Sequence, residues 1–238
     1  MSIEFVQEVL PKLFGGLLLT LQIVPLSLVL GFALAVLVAL LRLSPNLLLS
    51  SLAYGYVYVF RSTPLLVQIF LIYYGSGQFR SFFEEIGLWP VLREAYWCAI
   101  IALTLNTGAY TSEIIRGGIQ SVPWGQIEAA RACGMSRLLL FRRIIFPVAI
   151  RQALPAYGNE MILMVKSSSL ASTITIMELL GVTRQIVSET FVVFPTFAMA
   201  GAIYLSINFG LTRGVQWLER RLSPDLYRPR ETGDAIAH

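Results

Sequence analysis

Long uncharged apolar runs alternate along the chain with short polar segments. A membrane-spanning helix needs about 20 mainly apolar residues, and five of the runs are long enough to form one. They predict spans at about 13–41, 52–74, 95–115, 154–176 and 196–218. The second of these runs is interrupted by Arg61 and Pro64, and the fourth carries Glu160 and Lys166.

The composition supports a membrane protein. Of 238 residues, 56% are hydrophobic and 13% are charged, whereas a soluble domain has about 25% charged residues. The five spans use most of the chain and leave no room for a separate catalytic domain. We therefore predict an all-α integral membrane protein with one transmembrane domain over residues 1–222 and a short polar cytoplasmic tail over 223–238.

The distribution of lysine and arginine predicts the orientation, because these residues accumulate in cytoplasmic loops. If the N-terminus lies outside, the inner segments hold most of them: Arg42, Arg116, Arg131, Arg137, Arg142, Arg143, Arg151, Arg220, Arg221, Arg228 and Arg230. The outer segments then hold Lys12, Arg80, Arg93 and Arg184. We expect an outer N-terminus, a cytoplasmic C-terminus, and a cytoplasmic loop between the third and fourth spans.

That loop, about 117–151, contains the sequence PWGQIEAARACGMSRLLLFRRIIFP. Alanine, glutamate and arginine favour a helix over 126–133, and Gly134 favours a break after it. Ser136 can cap a following helix, whose apolar side chains fall on one side, as in a helix at the membrane surface. Pro147 is expected to return the chain to the bilayer. On pattern alone, this is a surface hairpin of helices joining two spans.

Charged and amide side chains within the spans are candidates for function, because burying them in a membrane is costly. Glu160 shares a helical face with Tyr157, Met164 and Ser167. Its carboxylate can either bind a solute or pair with Lys166 or Arg61. Asn106, in the third span, is a second candidate, with hydrogen bonding between helices as the alternative.

Three other charges have structural explanations as well. Glu113 and Arg213 lie near span ends, where they can extend towards the interface. Arg61 precedes Pro64, which removes the backbone donor to the carbonyl of Phe60. The arginine is therefore expected either to satisfy that carbonyl or to line a pathway.

The sequence lacks the residues that several other functions require. The one histidine is His238, so neither a Cys/His metal site nor a histidine-dependent catalytic triad can be assembled. The positive charge is explained by topology, and no aromatic-basic motif indicates nucleic-acid binding. The chain has no GxxxxGK[ST] phosphate-binding loop. An ion-coupled secondary transporter using Glu113, Glu160 and Lys166 is one alternative, and a membrane scaffold without transport is another.

The cytoplasmic loop also resembles a known motif. The residues that carry the resemblance, at their spacings, are Glu128, Ala129, Ala130, Gly134, Ile144 and Pro147. They are similar to the EAA loop of bacterial ATP-binding-cassette (ABC) importer permeases, with Phe146 where leucine is usual. The segments 61–75, 102–126 and 154–179 resemble the polar amino-acid branch, and within it the M-type subunits for histidine, basic amino acids and opines.

The resemblance implies a multi-pass protein of the bacterial inner membrane with a periplasmic N-terminus. Its coupling helix would dock on a cytoplasmic ATPase dimer through Glu128, Ala129, Ala130 and Gly134. The ATPase would use ATP and Mg, and this chain would bind no cofactor. Further expected partners are a second permease of the Q type, forming a heterodimer, a periplasmic solute-binding protein, and membrane lipid. The cargo would be a polar, basic amino acid or an opine.

The resemblance also implies a substrate site in the middle of the membrane. The glutamate that matches Glu160 lies at that site in the family. We therefore expect Glu160 to attract a cationic or amino group of the cargo, with Asn106, Ser167 and Tyr157 as further contacts.

Overall fold

Residues 3–222, which the computed structural model describes, fold into helices joined by short connections. The helices are α1 (Ile3–Arg42), α2 (Leu47–Ser62), α3 (Leu65–Gln78), α4 (Arg80–Glu85), α5 (Trp89–Leu92), α6 (Ala95–Gln120), α7 (Trp124–Ala132), α8 (Arg137–Leu140), α9 (Phe146–Ser167), α10 (Leu179–Thr190) and α11 (Val193–Leu222). The all-α prediction is confirmed for this part of the chain. The predicted tail at 223–238 lies outside the described residues.

Three described helices, α1, α6 and α11, are long and apolar enough to cross a membrane. Two further crossings exist only if each bent helix pair is counted as one span. One pair is α2 with α3, and the other runs from Arg137–Ile174 into α10, with bends of 104° and 50°. The described chain thus has three to five candidate spans, and the prediction of five holds only with both bent pairs included.

The predicted second span is a sharply bent helix pair. α2 ends at Ser62, Thr63 is extended with φ −108° and ψ 144°, and Pro64 precedes the first turn of α3. Pro64 cannot donate to the carbonyl of Phe60, and its ring disfavours a helical conformation at Thr63, so α2 ends before it. The segment predicted as one interrupted span, 52–74, thus consists of two helices at 104°.

The predicted boundary between a surface helix and the fourth span is wrong. The chain is helical without a break from α8 through a π-helical turn, Phe141–Ile145, into α9. The N–H of Phe146 bonds to the carbonyl of Phe141, five residues back. Pro147 lies in the first turn of α9. The wider π turn just before it accommodates a proline whose N–H is missing, so the helix continues.

The helices pack closely where glycines face a neighbouring element. A Cβ on Gly118 in α6 would lie 2.7 Å from the carbonyl oxygen of Ala149 in α9. A Cβ on Gly158 in α9 would overlap the side chain of Val215 in α11. Small residues allow helix backbones to approach in this way. α9 is thus held between α6 and α11.

A buried carboxylate fixes α10 against α1 and α11. Glu178 is fully buried and caps α10 by accepting from the N–H of Gly181 at 2.8 Å. Tyr204 of α11 donates to the same carboxylate at 2.8 Å, and Thr20 of α1 donates at 3.4 Å. Thr20 also accepts from the N–H of Leu179 at 3.2 Å. One side chain therefore joins three helices.

Candidate functional site

A polar cavity of about 450 Å³ lies where the α2–α3 break meets α6 and α9. Its wall combines charged, amide, hydroxyl and aromatic groups, which include Arg61, Thr63, Asn106, Tyr110, Glu160 and Ser167. Three segments far apart in sequence, 61–65, 106–110 and 160–167, contribute to this wall. Of the predicted substrate residues, the structure brings Glu160, Asn106 and Ser167 together here.

Glu160 is 7% exposed, and its carboxylate lies next to the hydroxyl of Thr107. The positive charge of Arg61 acts on it from across the same cavity. Lys166, the other cation considered as a partner, is exposed and does not line the cavity. The carboxylate of Glu160 therefore combines little exposure with access to a polar space.

Tyr157 does not line this cavity. Its ring packs edge-on against Phe32 of α1, with ring centroids 5.5 Å apart. It borders a separate apolar cavity of about 460 Å³ between α1, α6 and α9. Met164, which was predicted on the same face, does line the polar cavity. The structure thus separates Tyr157 from the other three predicted substrate residues.

An amide network closes one side of the polar cavity. The side chain of Asn106 donates to Gln68 Oε1 at 2.9 Å. Gln68 Nε2 in turn lies 2.8 Å from the carbonyl oxygen of Phe60, 3.1 Å from that of Thr63 and 2.8 Å from Thr63 Oγ1. The carbonyl freed by Pro64 is therefore satisfied by Gln68 and not by Arg61, which corrects one of the two roles considered for the arginine.

The sequence patterns considered above do not single out Gln68. It is 5% exposed, and the signal that could have revealed it is one amide in the apolar sequence LLVQIF, four residues after Pro64. A buried amide close to a proline break is a suitable donor for the unpaired carbonyl.

A second polar cavity, of about 300 Å³, adjoins the first. Arg61 and Tyr110 line both, and Arg42 and Glu113 line the second. The guanidinium of Arg61 lies over the ring of Tyr110, 5.2 Å from its centroid. The two cavities therefore share a wall at this pair.

Glu113 forms an ion-pair cluster at the second cavity. Its carboxylate lies 2.6 Å from Arg116 Nη2 and 3.3 Å from Arg42 Nε. The three side chains are only 15–26% exposed. The expectation that Glu113 simply extends towards the interface is corrected, because two arginines hold it in place. Arg213 lies against the ring of Phe209, 4.9 Å from the centroid.

The predicted coupling residues lie on and after α7. Glu128 is exposed and accepts from Trp124 Nε1 at 2.7 Å. Ala129 is exposed as well, whereas Ala130 is only 5% exposed. Adjacent alanines therefore have different surroundings: one is available to a partner and the other packs within this chain.

Gly134 ends α7 in a Schellman motif. Its φ is +74°, its N–H bonds to the carbonyl of Arg131, and the N–H of Met135 bonds to that of Ala130. This pattern requires a left-handed residue, a conformation that glycine adopts without a steric penalty. Ser136 then caps the next helix by accepting from the N–H of Leu139 at 3.4 Å, as expected.

Apolar helices surround a polar cavity, and a separate polar helix lies between two spans, as expected of a membrane permease. The chain belongs to the family described as the inner membrane component of binding-protein-dependent transport systems, whose model matches residues 8–224. It is an inner-membrane permease subunit of an ABC importer, and the ion-coupled alternative is not favoured.

Relatives match this chain over nearly their whole length. The nopaline transport system permease protein NocM of Agrobacterium fabrum is 60% identical over 99% of this chain and 97% of its own. The octopine transport system permease protein OccM of Rhizobium meliloti is 53% identical, over 97% and 94%. The histidine/lysine/arginine/ornithine transport system permease protein HisM of Salmonella typhimurium is 42% identical, over 92% and 96%.

Solved structures share the fold. The crystal structure of an amino acid ABC transporter with histidines matches with a TM-score of 0.82 and 35% identity, over 93% of this chain and all of that one. An inward-facing structure of the MetNI methionine ABC transporter matches with a TM-score of 0.66 and 17% identity, over 93% and 99%, which supports the fold alone.

Proposed function

We propose that this subunit translocates a polar amino acid with a cationic group, or an opine, and that Glu160 binds the cationic group. The observation that carries the proposal is the carboxylate of Glu160, which is 7% exposed and faces a polar cavity with Asn106 and Ser167. Relatives named for nopaline, octopine and basic amino acids support this substrate class. Tyr157 acts through packing with Phe32 and not by touching the solute.

The same proposal makes this chain the non-catalytic part of the transporter. ATP and Mg are bound by a partner ATPase dimer, and this chain binds no cofactor. Glu128 and Ala129 of α7, with Gly134 in the turn after it, form the docking surface, which their exposure supports. Ala130, predicted as a fourth docking residue, instead holds α7 against its own chain. The arginine-rich surroundings of α7 support a cytoplasmic loop and C-terminus and a periplasmic N-terminus.

The remaining partners follow from membership of this family. A solute-binding protein delivers the cargo on the periplasmic side, and a second permease completes the pathway. We propose a Q-type relative as that second permease, giving a heterodimer. Membrane lipid surrounds the apolar faces, which carry exposed residues such as Leu18, Val29 and Leu205.

Uptake into proteoliposomes tests the substrate proposal. Glu160→Gln is nearly isosteric, so we expect assembly with the ATPase to be retained while uptake of a cationic amino acid falls by about tenfold or more, the loss of a charge-assisted hydrogen bond. Glu84→Gln, in the exposed α4, is the matched control. Normal uptake kinetics in Glu160→Gln would remove this residue from the substrate site.

Copurification with the ATPase tests the docking proposal. Glu128→Arg reverses a charge on the exposed face of α7 and should abolish recovery of the ATPase subunit. Glu85→Arg makes the same change on exposed α4 and should leave recovery intact. Full recovery with Glu128→Arg would contradict docking through this residue.

A further inference from the structure

The side chain of Arg61 lies on the wall that the two polar cavities share. The larger cavity contains Glu160, and the smaller contains Glu113. Arg61, Ser62 and Tyr110 line both. Arg61 ends up there because α2 stops at Ser62 and the chain turns by 104° into α3. The bend thus places a guanidinium between two spaces large enough for a small solute.

Arg61 differs from the other arginines of this region in its partners. Arg42 and Arg116 both bond to the carboxylate of Glu113. Among residues 3–222, no carboxylate lies within 4 Å of the guanidinium of Arg61, which rests on the ring of Tyr110. An arginine within a span costs roughly 2.5–3.5 kcal/mol, and such residues normally have an anionic partner or line a pathway. The guanidinium is therefore free to accept an anion from outside the chain.

The polar cavity carries opposite charges on its wall. Glu160 supplies the negative charge and Arg61 the positive charge, and the two act on each other across the cavity. An amino acid has complementary groups, an ammonium or guanidinium at one end and a carboxylate at the other. Arginine recognises a carboxylate well because its planar fork can donate two parallel hydrogen bonds.

We propose that Arg61 binds the carboxylate of the transported solute while Glu160 binds its cationic group. This inference rests on the proposed function and adds a second determinant of specificity. It also explains why the site lies at the bend: there the guanidinium lines the same cavity as Glu160 while it rests over the ring of Tyr110.

The shared wall also gives the solute a route from the first polar cavity into the second. The second cavity combines the positive charges of Arg42 and Arg61 with the negative charge of Glu113, which Arg116 also neutralises. A carboxylate is therefore attracted into this cavity as well. It can stay on Arg61 while the rest of the solute leaves Glu160, so no charged group has to be released into an apolar space.

Binding to the transporter itself tests the proposal. The complete complex, in nanodiscs and without the solute-binding protein, would be given radiolabelled arginine and competing arginine or argininamide. The pH should keep the α-amine of the amide protonated. For the wild type we expect the amide to compete at least about tenfold more weakly, because it lacks the carboxylate.

Two variants test separately the residue that binds each end of the solute. Arg61→Gln should weaken arginine binding to the level of the amide and leave amide binding unchanged. Glu160→Gln should weaken both compounds by a similar factor. Arg61→Lys, which keeps the charge but not the planar fork, should restore part of the preference for arginine over its amide.

Arg213→Gln is the matched control. Its guanidinium also lies over an aromatic ring, that of Phe209, but it lines neither polar cavity. It should keep the wild-type preference.

The outcomes distinguish this inference from the proposed function. An unchanged preference in Arg61→Gln would overturn the role of Arg61 while leaving amino-acid transport in place. Equal binding of arginine and its amide by the wild type would overturn it without any variant, even if Arg61→Gln fails to fold. Absence of any amino-acid binding and uptake would instead overturn the proposed function.

Discussion

The side-chain amide of Gln68 donates to the carbonyl oxygen of Phe60 at 2.8 Å, across the break between α2 and α3. Pro64 occupies the position whose N–H would otherwise bond to that carbonyl. The same amide nitrogen contacts both oxygens of Thr63. One buried side chain thus replaces the backbone hydrogen bonds lost at the bend and stabilises the position of Arg61.

Replacing Gln68 by leucine should destabilise the complex. The change leaves the carbonyl of Thr63 without the Gln68 donor and the carbonyl of Phe60 with only the longer contact from Asn106, at 3.5 Å, and an unsatisfied buried group costs about 1–3 kcal/mol. We expect a lower melting temperature of the purified complex in detergent. Gln185→Leu, on the exposed face of α10, is the control and should melt like the wild type. Equal melting temperatures for both variants would contradict the bracing role of Gln68.

The break between α2 and α3 could be predicted only in part from the sequence. Pro64 predicts that the helix ends and that the carbonyl of Phe60 loses its donor. It does not predict the direction in which the chain continues. The bend of 104° brings the first turn of α3 back towards α2, so Gln68 reaches the carbonyl and Arg61 is left facing the cavities.

The substrate residues show a similar limit. Helical periodicity groups Tyr157 with Glu160 on one face of α9, and it groups Ser167 with them as well. Phe32 of α1 nevertheless covers Tyr157, and no pattern within α9 contains that information. The long helices α1, α6 and α11 were easier to predict, because the thickness of the bilayer imposes a length on an apolar run that crosses it.

Alanine at Gly158 should be rescued by a second substitution. A Cβ there overlaps only the side chain of Val215, so Gly158→Ala should cost about 1–3 kcal/mol through overpacking. Val215→Ala removes the overlapping methyl groups, and the double variant should recover much of the stability lost, as measured by thermal unfolding of the purified complex.

Alanine substitutions at two other glycines serve as controls for this prediction. At Gly118 the nearest atom to an added Cβ is the backbone oxygen of Ala149, at 2.7 Å. No side-chain substitution can remove a backbone atom, so we expect no second substitution to restore the stability that Gly118→Ala loses. At Gly201 nothing lies within 4 Å, and Gly201→Ala should be tolerated. Failure of Val215→Ala to improve Gly158→Ala would refute direct contact between these positions.

Tyr204→Phe should weaken the contact of α10 with α11. The substitution removes the hydroxyl that donates to Glu178 at 2.8 Å and leaves that carboxylate oxygen with the longer contact from Thr20, at 3.4 Å. We expect a loss of about 1–3 kcal/mol in stability, because hydrogen bonds to charged buried groups are the stronger ones. Thermal unfolding of the purified complex measures it.

Substitutions of glutamate on α10 provide the comparison. Glu178→Ala removes the helix cap and leaves the hydroxyl of Tyr204 without its acceptor, so it should be more damaging than Tyr204→Phe. Glu189→Ala, on the exposed end of the same helix, should have little effect. Stability unchanged by Glu178→Ala would mean that this carboxylate does not hold the three helices together.

Gly134→Ala should impair coupling for a purely conformational reason. An added Cβ at Gly134 meets nothing within 4 Å, but φ is +74°, where a side chain is strained, at a cost of about 1 kcal/mol. Gly125→Ala also adds a Cβ with nothing within 4 Å, but in the helical conformation of α7, where alanine is favoured. We expect Gly134→Ala to reduce solute-stimulated ATP hydrolysis in proteoliposomes by severalfold, and Gly125→Ala to leave it intact. A loss in both variants would point to contact with the ATPase surface, and a loss in neither would show that the left-handed turn after α7 is not needed for coupling.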